Sequence, residues 1–227
     1  MPLRRETVID AGLALLDEVG LDKLTTRALT ARLGVQPGAL YWHVKDKREL
    51  LGAMAERVMD EAFAAPTPAS VSPAPSASGD WAEDVTAFAH GMRRALLAHR
   101  DGARLVATYT PLGRSALRAA EDGLALLTAA GVPLALAAHF GDTVTSYVTG
   151  FVMQEQAVGG VGDPTADLAA YPLLSRWARE GTPPDRDAAF ASGVRLIVDG
   201  LRGRVDAGSR GTEGHDDAAR GAGADRV

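Results

Sequence analysis

One stretch limits what this chain can become more than any other: Leu24 to Leu50, LTTRALTARLGVQPGALYWHVKDKREL. Thr25 suits a helix N-cap, where a hydroxyl accepts one of the amides that the first turn leaves free. Leu29 and Leu33 then stand one turn apart on one face, and Gly34 follows where a helix end calls for a left-handed residue. Gln36 is a poor cap, but Pro37 opens a second helix at the position where a missing N–H is harmless. Val35 and Leu40 take the two positions of a hydrophobic staple across that start. The second helix is expected to run about two turns, with Ala39, Tyr41, Trp42 and His43 on its outward face. Asp46 and Glu49 make a capping-box-like pair ahead of Leu50 and Leu51. The whole is a helix-turn-helix, the arrangement that lays a short helix into the major groove of DNA.

Charge agrees locally where it disagrees globally. The chain carries a formal net charge of −5, which offers no general argument for a nucleic-acid partner. From Lys23 to Arg48, however, Lys23, Arg27, Arg32, Lys45, Lys47 and Arg48 are set against Asp46 alone. Cations beside exposed aromatics are the footprint of phosphate contacts. A solvated basic face on a three-helix bundle would explain the charge, but not the glycine turn, the proline start and the Tyr-Trp-His run together. Arg27 has the geometry to pair bidentately with a guanine edge, and Thr26 to hold a phosphate through its hydroxyl. Tyr41, Trp42, His43 and Lys47 suit phosphate and sugar contacts, which position without reading sequence. For Trp42 the alternative is packing against the next helix.

Helical periodicity accounts for the rest of the chain. Arg4 to Val19 carries Ile9, Leu13 and Leu16 on one row with Val8, Leu15 and Val19 beside it, a wide stripe that packs behind the motif. A helix from Lys47 to Phe63 turns Leu50, Leu51, Met54 and Val58 inward. Residues 64–79, AAPTPASVSPAPSASG, are uncharged and rich in Pro, Ala and Ser, the composition of an extended linker. Residues 80–205 predict further helices over Asp80–Arg100, Ser115–Ala130, Pro133–Gln156, Thr165–Glu180 and Asp185–Leu201, with a short helix or turn at Asp101–Thr110. No run alternates with the period of a strand. The expected fold is all-α: a three-helix head over 1–63 and a helical ligand-binding and dimerisation body over 80–205. Residues 206–227, dominated by Gly, Ala, Asp and Arg, read as a disordered tail.

Several functional classes fall away. The chain has no cysteine, which excludes disulfides, thiol catalysis and cysteine-ligated metal. Arg4 and Arg5 are followed by an amphipathic helix rather than an apolar signal segment, and His139 and Asp142 interrupt the most apolar region, Val132–Met153. A cytoplasmic protein without a membrane span is expected, and the Ala, Gly and Arg usage suggests a high-GC genome. There is no phosphate loop, nucleophile elbow or carboxylate pair beside a histidine, so no enzyme is expected. His90, His99 and His139 lack ligand spacing, and neither metal nor cofactor is expected.

On these residues Arg4–Phe63 resembles the N-terminal domain of TetR-family transcriptional repressors. LTTRALTARLGV followed by ALYWHVKDKRELL is similar to the branch containing the tetracycline repressors. A weaker similarity continues through Trp81 and RRALLAHRDGARL at Arg93–Leu105. The resemblance implies a homodimer in which the helices of 133–156 and 185–201 pack against their symmetry mates as a four-helix bundle. Gly141, Ser146, Gly150, Gly193 and Gly200 would admit that close approach. Two recognition helices about 34 Å apart would then meet an inverted-repeat operator in double-stranded DNA. Pro37, Gly38 and Ala39 lie where tetracycline repressors contact bases, yet offer no side-chain hydrogen bond here. Gln36 beside them does, which implies a different operator sequence.

Tetracycline repressors hold a drug–magnesium chelate with a histidine before a Thr-Arg-Pro turn and a glutamate from the partner subunit. Those positions are Val106 and Gln154 in this chain, and the turn reads Tyr109-Thr110-Pro111. Neither replacement suits a hard cation. A mostly apolar pocket lined by Phe88, Met92, Tyr109, Thr110, Pro111 and Gln154 is expected to take a hydrophobic or aromatic small molecule. The expected function is a repressor whose homodimer binds its operator and is released by a small-molecule effector. The alternatives are a TetR-like activator, or a helical ligand-binding dimer whose head docks a protein partner.

Overall fold

The head is built from α1 (Arg5–Val19), α2 (Thr26–Leu33) and α3 (Pro37–Leu40), and α4 (Lys47–Ala64) leads out of it. The computed structural model describes residues 3–64, 80–109, 113–157, 168–180 and 185–221. In α1 the anticipated stripe forms: Val8, Leu13, Leu15 and Leu16 are buried, with Ile9 and Val19 packed at its margin. Gly12 allows α1 to close on α4, since a Cβ there would stand 2.9 Å from the Met54 sulfur.

Next, α4 is the hub of the molecule. Leu50, Leu51, Met54 and Val58 are all buried, and the helix packs against α1, α5, α6 and α7. Burial of each such side chain is worth about 1.5–3 kcal/mol, so α4 cannot shift without disturbing both head and body.

The body follows as α5 (Trp81–Leu97), α6 (Gly102–Tyr109), α7 (Arg114–Ala129), α8 (Leu134–Gln156), a 3-10 turn at Leu168–Ala170, α9 (Pro172–Glu180) and α10 (Arg186–Gly221). Asp80 caps α5 by accepting from the Ala82 amide at 3.0 Å. Phe140, Val144, Val148 and Val152 recur every four residues along the buried side of α8. Phe190, Val194, Val198 and Leu201, spaced four, four and three, line the buried side of α10, which packs on α5 and α8. No strand occurs among the described residues, and none of their helices is long and apolar enough to cross a membrane.

Three local differences from the sequence expectation have physical causes. Instead of two turns, α3 has four residues, because the amides of His43 and Val44 both return to the Leu40 carbonyl, at 2.9 and 3.2 Å. That tight turn buries Val44 and hands the chain to α4. The backbone of α10 runs on to Gly221, past Val205, where a disordered tail was expected. Extending an anchored helix needs no new nucleus, whereas starting one in so glycine-rich a segment would. Gly193, expected to face another copy, is occupied within the chain: the Tyr147 hydroxyl fills its notch and donates to the Phe190 carbonyl at 3.2 Å. Of the linker expected at 64–79, Ala64 is the last residue of α4, and residues 65–79 lie outside the described residues.

Candidate nucleic-acid interface and effector site

The turn of the motif is built as the residue types require. Thr25 is extended (φ −126°, ψ 151°) and its hydroxyl accepts from the Ala28 amide at 3.1 Å. Gly34 is left-handed (φ 65°, ψ 29°), the Gly34 amide returns to Ala31 and the Val35 amide to Thr30, which satisfies two carbonyls at the end of α2. Pro37 stands at the first turn of α3, and its cap, Gln36, makes no side-chain capping bond. At the start of α4 the Glu49 amide donates to Asp46 at 2.8 Å while the Glu49 carboxylate accepts from the Lys45 amide at 2.7 Å. That bond, and then Arg5 at 2.8 Å, hold the Glu49 carboxyl below its ordinary value. Arg5 also donates to the His43 carbonyl at 2.6 Å, so it fastens the turn before α4.

The surface that results is aromatic and cationic. Trp42 is 89% exposed and Tyr41 52%, so neither is packed into the head. Arg27, Gln36, Pro37 and Gly38 are exposed, and Thr26, Ala39 and His43 half-buried, on α2, α3 and the turn that follows. Arg32 is committed to Glu18 through two contacts at 2.7 and 2.8 Å, which tie α2 to α1. Among the described residues Arg27 and Arg48 have no such partner. Lys47 is exposed at the first residue of α4. It lines a cavity of about 200 Å³ with Leu21, Asp22, Leu51, Arg104, Thr108 and Tyr109, where head meets body. There the Arg104 guanidinium, with Lys47 adding to it, lowers the Asp22 carboxyl.

The six residues expected to line an effector pocket are divided. Met92 is buried and Phe88 half-buried one turn before it on α5, while Gln154 is exposed on α8. Tyr109 ends α6 and borders both the cavity above and a groove of about 520 Å³ that includes Arg48, Gly52, Ala53, Glu56 and Thr108. Neither space is lined by Phe88, Met92 or Gln154, and Thr110 and Pro111 lie outside the described residues. Val106 is a buried aliphatic residue of α6. With a hydrocarbon there and a neutral amide at Gln154, the donor set does not fit a chelated divalent cation.

Sequence reading missed a polar cluster beside this region. Arg93 of α5 donates to both oxygens of Glu155 on α8, at 2.9 and 2.6 Å, and to Asp187 on α10 at 2.7 Å. Its guanidinium lies over the Phe190 ring, 4.9 Å from the centroid, and the Glu155 bonds drive its pKa further up. His90 meets the same ring edge-on at 5.1 Å. A charged residue inside the apolar period of α5 was the only signal in the sequence.

Comparison with known proteins bears on both halves of the chain. Residues 8–54 match the family described as bacterial regulatory proteins, tetR family, and residues 72–205 match the tetracyclin repressor-like C-terminal domain. The tetracycline repressor protein class A from transposon 1721 of Escherichia coli is 39% identical over 206 residues, covering 89% of this chain and 92% of the relative. A possible TetR family transcriptional regulator from Streptomyces coelicolor A3(2) superposes with a TM-score of 0.77 at 36% identity, covering 88% of this chain and 98% of the other. The Streptomyces coelicolor TetR family protein ActR in complex with actinorhodin gives 0.73 at 30% identity, covering 88% and 95%. Head, linking helix and body thus find their counterparts in one family over nearly nine-tenths of the sequence, and the chain belongs to the TetR family of bacterial regulatory proteins, as a DNA-binding repressor that responds to a small-molecule ligand.

Proposed function

We propose that this protein binds an inverted-repeat operator as a homodimer, acts by binding alone, and is released by a hydrophobic or aromatic small molecule other than a magnesium–tetracycline chelate. The observation that carries the DNA half is the pairing of a well-formed helix-turn-helix with an indole 89% exposed on its outward side. With Tyr41 also 52% exposed on the same turn, the head presents aromatic surface together with exposed cations, the pattern that meets sugar and phosphate. Thr26, Arg27, Gln36, Pro37, Gly38, Ala39, Tyr41, Trp42, His43 and Lys47 are the proposed contact set, with Arg27 and Gln36 reading bases and the aromatic residues holding sugar and phosphate.

The effector half is supported by chemistry at two positions. Val106 and Gln154 remove the donors that a metal chelate would need, while Phe88, Met92 and Tyr109 favour an apolar ligand. The relative ActR, solved with actinorhodin, is an instance of a protein of this fold with an organic ligand.

Fluorescence anisotropy with the DNA upstream of its own gene, at two salt concentrations and with candidate aromatic metabolites, tests both halves. The expected result is a discrete complex that weakens steeply with salt and is released by one compound. Binding that ignores salt would overturn the DNA reading and favour a protein-docking head. Release by magnesium with tetracycline at the concentrations that serve the tetracycline repressors would overturn the effector reading. Arg27→Ala is expected to relax preference for the operator by about 1–3 kcal/mol, and equal losses on operator and random DNA would remove it from the base-reading set.

A further inference from the structure

The loop between α5 and α6 grips the head at points that neither DNA nor effector reading uses. Asp101 takes a left-handed conformation (φ 56°), and its carboxylate accepts from the Leu21 amide at 2.8 Å. Gly20 makes room for it: a Cβ there would stand 3.0 Å from the Asp101 carboxylate and 3.2 Å from Arg100 Nε. The Arg100 amide donates to Asp17 at 2.9 Å, its guanidinium donates to the Glu18 carbonyl at 3.1 Å, and Arg104 pairs with Asp22. The end of α1 and the start of its loop are therefore held by a segment of the body. Gln156, the last residue of α8, braces that segment from behind. Its amide nitrogen donates to the carbonyls of Leu96 and His99, at 2.9 and 2.7 Å, and its oxygen accepts from the Ala103 amide at 3.1 Å.

His99 sits at the centre, its side chain only 14% exposed. Nδ1 lies 3.1 Å from Asp17 Oδ2 on α1, and Nε2 lies 3.4 Å from Glu61 Oε2 on α4. A neutral imidazole has one N–H and one lone pair, so one of the two carboxylates must meet a lone pair; an imidazolium donates to both. We propose that His99 is a proton-operated clasp between head and body, closing across Asp17 and Glu61 when it is protonated.

The surrounding charges fit that role. From α1 come Asp17, Asp10 and Glu18, of which Glu18 is taken by Arg32 and Asp10 by Arg57. From α4 come Glu61 and Arg57, 3.8 Å apart, so Glu61 is partly offset and Asp17 carries the larger share. The loop itself supplies Arg100 and Asp101, α6 supplies Arg104 against Asp22, and α8 contributes the neutral Gln156. The head is held more rigidly against the body as pH falls.

Hydrogen exchange on the full-length chain tests this without DNA, so its failure would leave the operator reading untouched. The Leu21 and Arg100 amides cross the junction, and the Val148 amide in α8 serves as reference. After correction for intrinsic exchange, protection of the two junction amides relative to Val148 is expected to rise roughly 3- to 10-fold from about pH 8 to about pH 6, as replacing a neutral contact by a charge-assisted one implies. His99→Gln is expected to abolish that rise. Asp17→Asn, which keeps an oxygen for the Arg100 amide while removing the charge, is expected to lose most of it, and decides the matter if His99→Gln fails to fold. No rise in the wild-type chain, or a rise that survives in His99→Gln, would overturn the proposal.

Discussion

Gly34 and Gly20 both stand at positive φ, 65° and 78°, but they answer to different demands. A Cβ on Gly34 meets nothing within 4 Å, so its requirement is purely conformational. Gly34→Ala should cost about 1–2 kcal/mol, and Gly34→Asn distinctly less, as read by urea unfolding. A larger loss for alanine would mean that the turn touches something beyond itself. Gly34 was legible in the sequence because the backbone conformation it supplies is a local matter. His90 was not. Its environment comes from α10 and from neighbouring arginines: burial first, then Arg93 and Arg94, lower its pKa below 6.5, with Asp187 opposing. The unfolded chain then holds a proton that the folded chain resists. This group therefore leaves stability unchanged above pH 6.5 and erodes it as pH falls from there through the folded value. His90→Gln should flatten the dependence of unfolding free energy on pH over that interval, and an unchanged slope would assign it to another group.

Among the elements, ion pairs of similar appearance carry unequal weight. Arg93 and Glu155 join α5 to α8 with side chains only 11% and 10% exposed, whereas Arg202 and Asp80 join α10 to α5 in contact with solvent. Arg93→Met strands a carboxylate in a poorly hydrated site and should cost about 3–5 kcal/mol. Arg202→Met should cost no more than about 1 kcal/mol. Denaturant midpoints of the two variants test the ordering, and Arg93→Met combined with Glu155→Met should recover most of the loss. Equal shifts for the single variants would show that water reaches Glu155 freely. The same division between local and tertiary control explains what was legible at this scale. The limits of α2 are set by Thr25 and Gly34, which act within one turn, and they stood in the sequence. The length of α3 is set by how Val44 must be buried, and the Arg93 cluster by three helices far apart in the chain, so neither could be read before the fold was known.

In the whole molecule the core is finished on one side and open on another. Among the described residues the head and α4 bury most of their large aliphatic side chains and leave Tyr41 and Trp42 exposed, while α8 and α10 bury one row each. Their remaining faces hold Leu134, Met153 and Leu196 in solvent, with Leu196 73% exposed, and among the described residues a Cβ on Gly141, Gly150 or Gly200 would meet nothing within 4 Å. Gly193 is the opposite case, its notch filled by Tyr147. If the open faces form the proposed dimer, substitutions on them should separate association from folding. Leu196→Glu should leave far-UV circular dichroism and the cooperativity of unfolding intact while shifting the sedimenting species from dimer to monomer. Operator affinity should fall with it by at least roughly 10²-fold, because a lone head forfeits the second half-site. Gly193→Ala should do the reverse: it forces Tyr147 off the Phe190 carbonyl and lowers the stability of the chain itself, by about 1–3 kcal/mol, without acting directly on association. Leu196→Glu that still sediments as a dimer with unchanged operator affinity would show that the chain pairs, if it pairs, through another face.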